Sequence, residues 1–124
     1  MLTNCLLVAV GGGLGAVGRY LLGLVEHPLS FPLMTLAVNF LGAVIIGAVA
    51  CATDHTALSP SSALFLKTGF CGGFTTFSTF SLETVGLLES GRLAAGLCYA
   101  AGSVVACLAG FVLGRALANL ILPA

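Results

Sequence analysis

Residues 69–80 form an unusual run inside an apolar stretch that is long enough to span a membrane: Gly-Phe-Cys-Gly-Gly-Phe-Thr-Thr-Phe-Ser-Thr-Phe. A glycine pair weakens a helix, and in hydrocarbon each hydroxyl or freed backbone carbonyl needs a polar partner. The run therefore predicts a transmembrane helix that is broken at Gly72-Gly73. Because irregular backbone is tolerated at membrane depth only inside protein or along a wet path, the run also predicts an ion or substrate site.

The composition is that of an integral membrane protein. Of the 124 residues, 59% are hydrophobic and 6% are charged, whereas a soluble domain carries about a quarter charged residues. We therefore expect the chain to lie in membrane lipid, and its net charge of zero argues against a nucleic-acid partner. The five cysteines fall mostly in apolar segments without metal-ligand spacing, which favours structural packing over disulfides or a zinc site.

Four segments reach the ~20 apolar residues that a helix needs to cross the hydrocarbon core. They run over about 3–25, 32–52, 63–88 and 93–113. The expected fold class is therefore an all-α integral membrane protein with four transmembrane helices, the third of them broken. All four belong to a single membrane domain over residues 1–124, and the short link between the last two predicts that they are antiparallel neighbours.

The few charged residues are evenly divided between the two sides of the membrane. Four spans place both termini on one side, which carries Lys67 and Arg115, while the other side carries Arg19 and Arg92. Two interpretations therefore stay open: the chain inserts in both directions, or its orientation is set by lipid or the translocon. Glycines at four-residue spacing permit close helix approach, either within one subunit or between subunits. So small a bundle hides its polar groups from lipid more easily as an oligomer.

Several side chains at membrane depth are candidates for an anion path. Asn39 is either a helix–helix hydrogen-bond partner or a donor to an anion or to a group that holds one. Phe77 and Phe80 share a helix face, either as plain packing or as rings whose positive edges face an anion. Ring edges attract an anion without a fixed charge, and conduction requires binding that is weak enough to release it.

The remaining candidates lie on spans one, three and four. Tyr99, Ser103 and Cys107 recur at four-residue spacing as a stripe of two hydroxyls and a thiol. Glu83 is either a functional acid within the membrane or a residue near its edge. Arg19 either raises the local anion concentration or anchors a helix end at the interface. The sequence has no nucleotide motif and no nucleophile–base pair, so we do not expect an enzyme.

Three stretches together resemble the Fluc (CrcB) fluoride channels. They are the segment from Gly11 to Tyr20, the segment from Asn39 to Gly42, and the run at 69–80 with its continuation to Glu83. The chain length and the four spans match as well, so the resemblance covers essentially the whole chain. The run at 69–80 is its most specific part, because it is long and chemically unusual.

The resemblance implies an antiparallel, dual-topology homodimer with two separate fluoride pores. It implies pore roles for Asn39, Phe77, Phe80, Ser78, Thr79, Tyr99, Ser103 and Glu83. It also implies that Arg19 lies at the aqueous vestibule, and Cys107 stands where relatives can carry a hydroxyl. Backbone carbonyls of Gly72 and Thr75 from both subunits would hold a structural sodium ion at the dimer interface.

The function implied by the resemblance is passive, fluoride-selective export across a bacterial-type cell membrane. Hydrogen fluoride enters as a neutral acid and dissociates, and the negative interior drives the trapped anion out through a pore. The alternative is a small proton-coupled exporter of the dual-topology dimer type, although span one has no acid and the chain has no Trp. A non-transporting membrane scaffold is a third hypothesis, and a paired heterodimer also stays open.

Overall fold

The computed structural model describes residues 1–25 and 31–122 and contains only helices and short connections within these ranges. In chain order the elements are α1 (Leu2–Gly23), α2 (Leu33–Asp54), α3 (Pro60–Leu64), a π-helix (Phe65–Cys71), α4 (Gly72–Phe74), α5 (Phe77–Glu89) and α6 (Leu93–Ile121). Three of the described helices, α1, α2 and α6, are long and apolar enough to cross a membrane. They correspond to predicted spans one, two and four.

The fourth span is longer than the sequence predicts. Helix α6 runs to Ile121, eight residues beyond the expected end at 113. This extension carries Arg115, whose Nη2 atom lies 2.8 Å from Oδ2 of Asp54 at the end of α2. The ion pair gives both charges a partner where the two helices end side by side, so the helix continues through a charged residue.

The third span is divided among α3, the π-helix, α4 and α5. Its start is marked by Ser59, whose hydroxyl accepts a hydrogen bond from the amide of Ser62, with Pro60 at the first helical position. Both residues are typical of helix N-termini, since serine satisfies an unpaired amide and proline has none to satisfy. No single element here reaches membrane-spanning length, because the helix is interrupted before α5.

The interruption lies at Thr75-Thr76, and the prediction that it lies at Gly72-Gly73 is wrong. Gly72 has helical angles of φ −63° and ψ −36°, whereas Thr75 has ψ 156° and Thr76 has φ −148° and ψ 113°. The hydroxyl of Thr75 donates to the carbonyl of Cys71 at 2.8 Å and closes the preceding turn. The Thr76 hydroxyl accepts from the amide of Thr79 at 3.2 Å and begins α5, as threonine does at helix N-termini.

Two glycines of this segment, Gly69 and Gly73, permit close packing against α1. A Cβ at residue 73 would overlap the carbonyl oxygen of Gly12, and one at residue 69 would lie 3.0 Å from Cα of Gly11. The small-residue faces that the sequence predicts are therefore contacts within one subunit at this crossing. Backbone meets backbone here, which brings α1 against the π-helix and α4.

A second glycine-mediated crossing joins α2 to α6. A Cβ at Gly114 would overlap the carbonyl of Val44, and one at Gly47 would overlap the carbonyl of Phe111. Helix α6 then runs back beside α5 after a turn in which Gly91 has φ 77°, a left-handed conformation that favours glycine. The predicted antiparallel pairing of the last two spans is confirmed.

Replacement of Gly15 by alanine tests the α1 crossing. A Cβ at residue 15 would overlap the carbonyl oxygen of Phe70 and lie 2.7 Å from the amide nitrogen of Phe74. We expect Gly15→Ala to lower the free energy of unfolding in detergent by roughly 1–3 kcal/mol, the cost of overpacking a close contact. The matched control is Gly13→Ala, two residues away, because nothing lies within 4 Å of a Cβ there. Equal loss of stability in both variants would contradict the proposed crossing.

Candidate functional site

Asn39 on α2 holds the interrupted backbone of the third span. Its Nδ2 group donates to the carbonyl oxygen of Thr76 at 3.1 Å, and its Oδ1 atom accepts from the Thr76 amide at 2.7 Å. One amide side chain thus satisfies both polar groups of a peptide residue that the helix has released. Since Asn39 bonds to the broken segment, it acts as a helix–helix partner and positions the site as well.

This pairing changes the partners of the preceding carbonyls. In a continuous α-helix the Thr76 amide would donate to Gly72, but here it donates to Asn39. The carbonyl of Gly73 instead accepts a hydrogen bond from Nε of Arg19 on α1 at 3.3 Å. Arg19 therefore neutralises part of the negative charge that the interrupted helix leaves on its final carbonyls.

A cluster of hydroxyls covers the start of α5. The Thr76 hydroxyl lies 3.1 Å from the hydroxyl of Ser78 and donates to the Thr79 hydroxyl at 3.1 Å. Ser78 and Thr79, both predicted pore residues, are thus held by their neighbour at the break. Thr76 was not among the predicted site residues, although Thr76 followed by Ser78 and Thr79 is typical of the start of a helix.

Two clefts flank the break, and Thr76 lines both of them. The first, which we call the carboxylate cleft, has a volume of about 500 Å³ and includes Arg19, Thr35, Thr79 and Glu83. The second, which we call the phenylalanine cleft, has a volume of about 450 Å³ and includes Asn39, Phe77, Phe80 and Ser103 among its lining residues. Most of the predicted site residues therefore line one of the two clefts beside the interrupted segment, whereas Ser78 and Tyr99 line neither.

Glu83 is fixed between α2 and α6 in the carboxylate cleft. Its Oε1 atom accepts a hydrogen bond from the Thr35 hydroxyl at 2.7 Å, and its Oε2 atom accepts from the Tyr99 hydroxyl at 2.7 Å. Tyr99 is 1% exposed and Thr35 is 9% exposed, so both donors are buried. Glu83 is therefore an acid bonded inside the bundle rather than a loose residue at its edge. Thr35 was not predicted as a site residue, although it lies four residues before Asn39 on the same helix face.

The aromatic rings form a continuous series along α5 and α6. The ring centroids of Phe77 and Phe80 are 5.1 Å apart, and those of Phe80 and Tyr99 are 5.4 Å apart. Phe77 is 77% exposed, although it is a large apolar residue. Since Tyr99 is bonded to Glu83, its ring orientation is fixed, and this in turn positions Phe80.

Ser103 is the predicted pore residue whose bonding is incomplete. Its side chain is 5% exposed, and among the described residues its Oγ atom has no hydrogen-bond partner. Burial of an unsatisfied hydroxyl destabilises the fold by about 1–3 kcal/mol. Such a group is expected where a bound ligand or ion supplies the missing hydrogen bond. Ser103 and Cys107 both line the phenylalanine cleft together with the rings. The predicted stripe of α6 is therefore not one continuous path, since Tyr99 bonds to Glu83 instead.

Comparison with known proteins matches nearly the whole chain. The family described as CrcB-like protein, Camphor Resistance (CrcB), matches residues 6–115. A protein of Serratia proteamaculans named fluoride-specific ion channel FluC is 50% identical over 120 residues, which cover 91% of this chain and 94% of the relative. A protein of Chlorobaculum tepidum with the same name is 47% identical over 124 residues, which cover 97% and 98% of the two chains.

Replacement of Asn39 by leucine tests the role of its amide. We expect Asn39→Leu to lower the free energy of unfolding by roughly 2–4 kcal/mol, because the amide and the carbonyl of Thr76 both lose their partner. The matched control is Asn119→Leu, since within the described part of the chain the Asn119 side chain accepts only a thiol hydrogen bond from Cys51 and lies outside both clefts. Chemical denaturation of both variants in the same detergent measures the difference, and a smaller effect at position 39 than at 119 would contradict this role.

Proposed function

The chain belongs to the CrcB family, and from this we propose that it is a fluoride-selective ion channel that conducts fluoride passively out of the cell. Its matched relatives are named fluoride-specific ion channels. The observation that carries the proposal is the phenylalanine cleft, where a buried, unpartnered hydroxyl faces the same space as two aromatic rings. Conduction by a multi-pass membrane protein, rather than catalysis, is the proposed role.

The lining of the phenylalanine cleft supplies what a dehydrated fluoride ion needs. The Ser103 hydroxyl can donate one hydrogen bond, and the Asn39 amide retains a second N–H after it bonds to Thr76. Phe77 and Phe80 present rings with electropositive edges. These groups replace part of the hydration shell without a fixed charge in contact with the anion, and weak binding permits release.

The carboxylate cleft continues the proposed path on the other side of Thr76. Arg19 offers a positive charge there, and Thr79 adds a hydroxyl. Glu83 accepts a hydrogen bond from the hydroxyl of Tyr99, so we propose that it fixes the orientation of the Tyr99 ring and thereby of the neighbouring rings. Arg19 fits the proposed vestibule role, since it lines the cleft and at the same time bonds to the broken helix.

We further propose that two copies of the chain assemble as an antiparallel, dual-topology homodimer. Phe77 is 77% exposed in the single chain, and contact with a second copy would cover this ring. The even division of basic residues between the two sides permits insertion in both directions. A pair of different chains is the other arrangement, and purification of this chain alone distinguishes the two.

The broken segment fits the proposed structural sodium ion. The Gly72 carbonyl has lost the amide of Thr76 to Asn39, and nothing lies within 4 Å of a Cβ at Gly72, so a second copy can approach it. Carbonyl oxygens of Gly72 and Thr75 from two copies would supply four of the hard oxygen ligands that such a cation prefers. The ion would link the two subunits and would not be transported.

Efflux from liposomes tests the proposed function. The purified protein is reconstituted in vesicles that contain fluoride or chloride, a potassium ionophore sets the voltage, and an ion-selective electrode measures release. We expect rapid fluoride release that depends on the ionophore, with negligible chloride release and no need for a proton gradient. Fluoride release that requires a proton gradient would instead favour a proton-coupled exporter, and no release would contradict the proposal.

The same assay tests the two rings. We expect Phe77→Ile and Phe80→Ile each to slow fluoride efflux roughly tenfold or more, since a loss of about 1.4 kcal/mol at the transport barrier slows passage tenfold. The matched control is Phe111→Ile, because Phe111 lies on α6 outside both clefts. Parental rates in both variants would exclude the ring-edge mechanism.

Thermal unfolding in different salts tests the sodium ion and the dimer together. A cation that binds only the folded dimer raises its midpoint temperature as its concentration increases. We expect sodium to raise the midpoint and an equal concentration of N-methylglucamine to leave it unchanged, while light scattering reports two chains per particle. Identical unfolding curves in the two salts would contradict the sodium site, and a monomeric particle would contradict the dimer.

A further inference from the structure

Each cleft has one basic side chain, but their electrostatic environments differ. In the carboxylate cleft, Arg19 lies together with the acid Glu83. The phenylalanine cleft is lined by Lys67, and among the described residues that line it none is acidic. Among the described side chains of one subunit, the first cleft therefore carries a balanced pair of charges, and the second carries one charged group, which is positive.

The side chain of Lys67 has fewer polar partners than those of Arg19 and Arg115. Arg19 donates to the carbonyl of Gly73, and Arg115 is paired with Asp54. Across residues 1–25 and 31–122, the side chain of Lys67 has neither a hydrogen bond nor an ion pair, and the residue is exposed. Its ammonium group is thus free to act on mobile ions.

The position of Lys67 in the fold also indicates a role along an ion path. It lies within the third span, in the π-helix Phe65–Cys71, a type of helix that occurs frequently at functional sites. Lys67 lies four residues from the predicted start of this span, so its side chain can reach the water on that side of the membrane. A lysine in this position that also lines a cleft is a candidate for an ion path.

We propose that Lys67 attracts anions to the phenylalanine cleft and thereby sets the rate at which fluoride enters it. A solvated ammonium group raises the local concentration of anions through its field. It does so without direct contact, so it does not hold the anion as a desolvated cation would. This inference rests on the proposed channel function and adds to it a residue that controls entry at one end.

The ionic-strength dependence of conductance distinguishes this field effect from a structural role. Fluoride flux is measured at about 10 mM fluoride, with and without about 1 M of a salt of a large organic anion such as isethionate, because the screening length falls from roughly 30 to 3 Å. At low ionic strength we expect Lys67→Gln to conduct about two- to fivefold less than the parent, the effect of removing one charge in water-rich surroundings. At high ionic strength the two proteins should conduct equally.

Three controls make the result specific. Lys67→Arg keeps the charge and should keep the parental salt dependence, whereas Lys67→Glu should lower low-salt flux further than glutamine. Arg115→Gln removes the same charge from the same expected side of the membrane but outside both clefts, so it controls for altered insertion. The ratio of low-salt to high-salt flux in each sample cancels differences in the amount of folded protein.

The outcomes separate this inference from the proposed function. If the parent conducts fluoride and Lys67→Gln shows the same flux ratio as the parent, Lys67 does not attract the anion and the inference is overturned. It is also overturned if Arg115→Gln changes the ratio as much as Lys67→Gln does. If the parent itself conducts no fluoride at any ionic strength, the proposed function fails, and the inference fails with it.

Discussion

The reciprocal hydrogen bonds between the Asn39 amide and the backbone of Thr76 are the interaction on which the rest of the structure depends. Without them, an interrupted helix in an apolar bundle would leave a donor and an acceptor unsatisfied, and a continuous helix would be the more stable conformation. With them, α5 starts afresh at Phe77 with its own hydroxyl cap. The two rings and Glu83 take their positions from that restart.

Around this interaction, the bundle separates its packing tasks from its polar tasks. Glycines bring α1 against the π-helix and α4, and bring α2 against α6, so these pairs need no large side chains between them. Polar side chains concentrate where α2, α5 and α6 meet, and there they bond to one another: Thr35 and Tyr99 to Glu83. Tyr99 is almost fully buried because both its ring and its hydroxyl have partners.

Hydropathy was sufficient to predict α1, α2 and α6, because a stretch of about 20 apolar residues has few alternatives in a membrane. The position of the break was not predictable in the same way. Local propensity points to Gly72-Gly73, but a bond from Asn39, 37 residues away in sequence from Thr76, places it at the threonines. Thr35 was missed for a similar reason, since its partner Glu83 comes from another helix. The gathering of Asn39, Phe80 and Ser103 around one cleft was expected from the resemblance, and their division from Glu83 was not.

The glycine crossings have a consequence for how well the clefts can discriminate between ions. Where helices touch through side chains, changes of rotamer allow the space between the helices to widen and narrow. At Gly73 and Gly114 the contact is backbone against backbone, and peptide groups have no rotamers to exchange. The helices are therefore held at a separation that is set by atomic radii, and thermal motion has little means to relax it. A frame of this stiffness can exclude a halide that is only slightly larger than fluoride, since the larger ion would have to displace main chains rather than side chains.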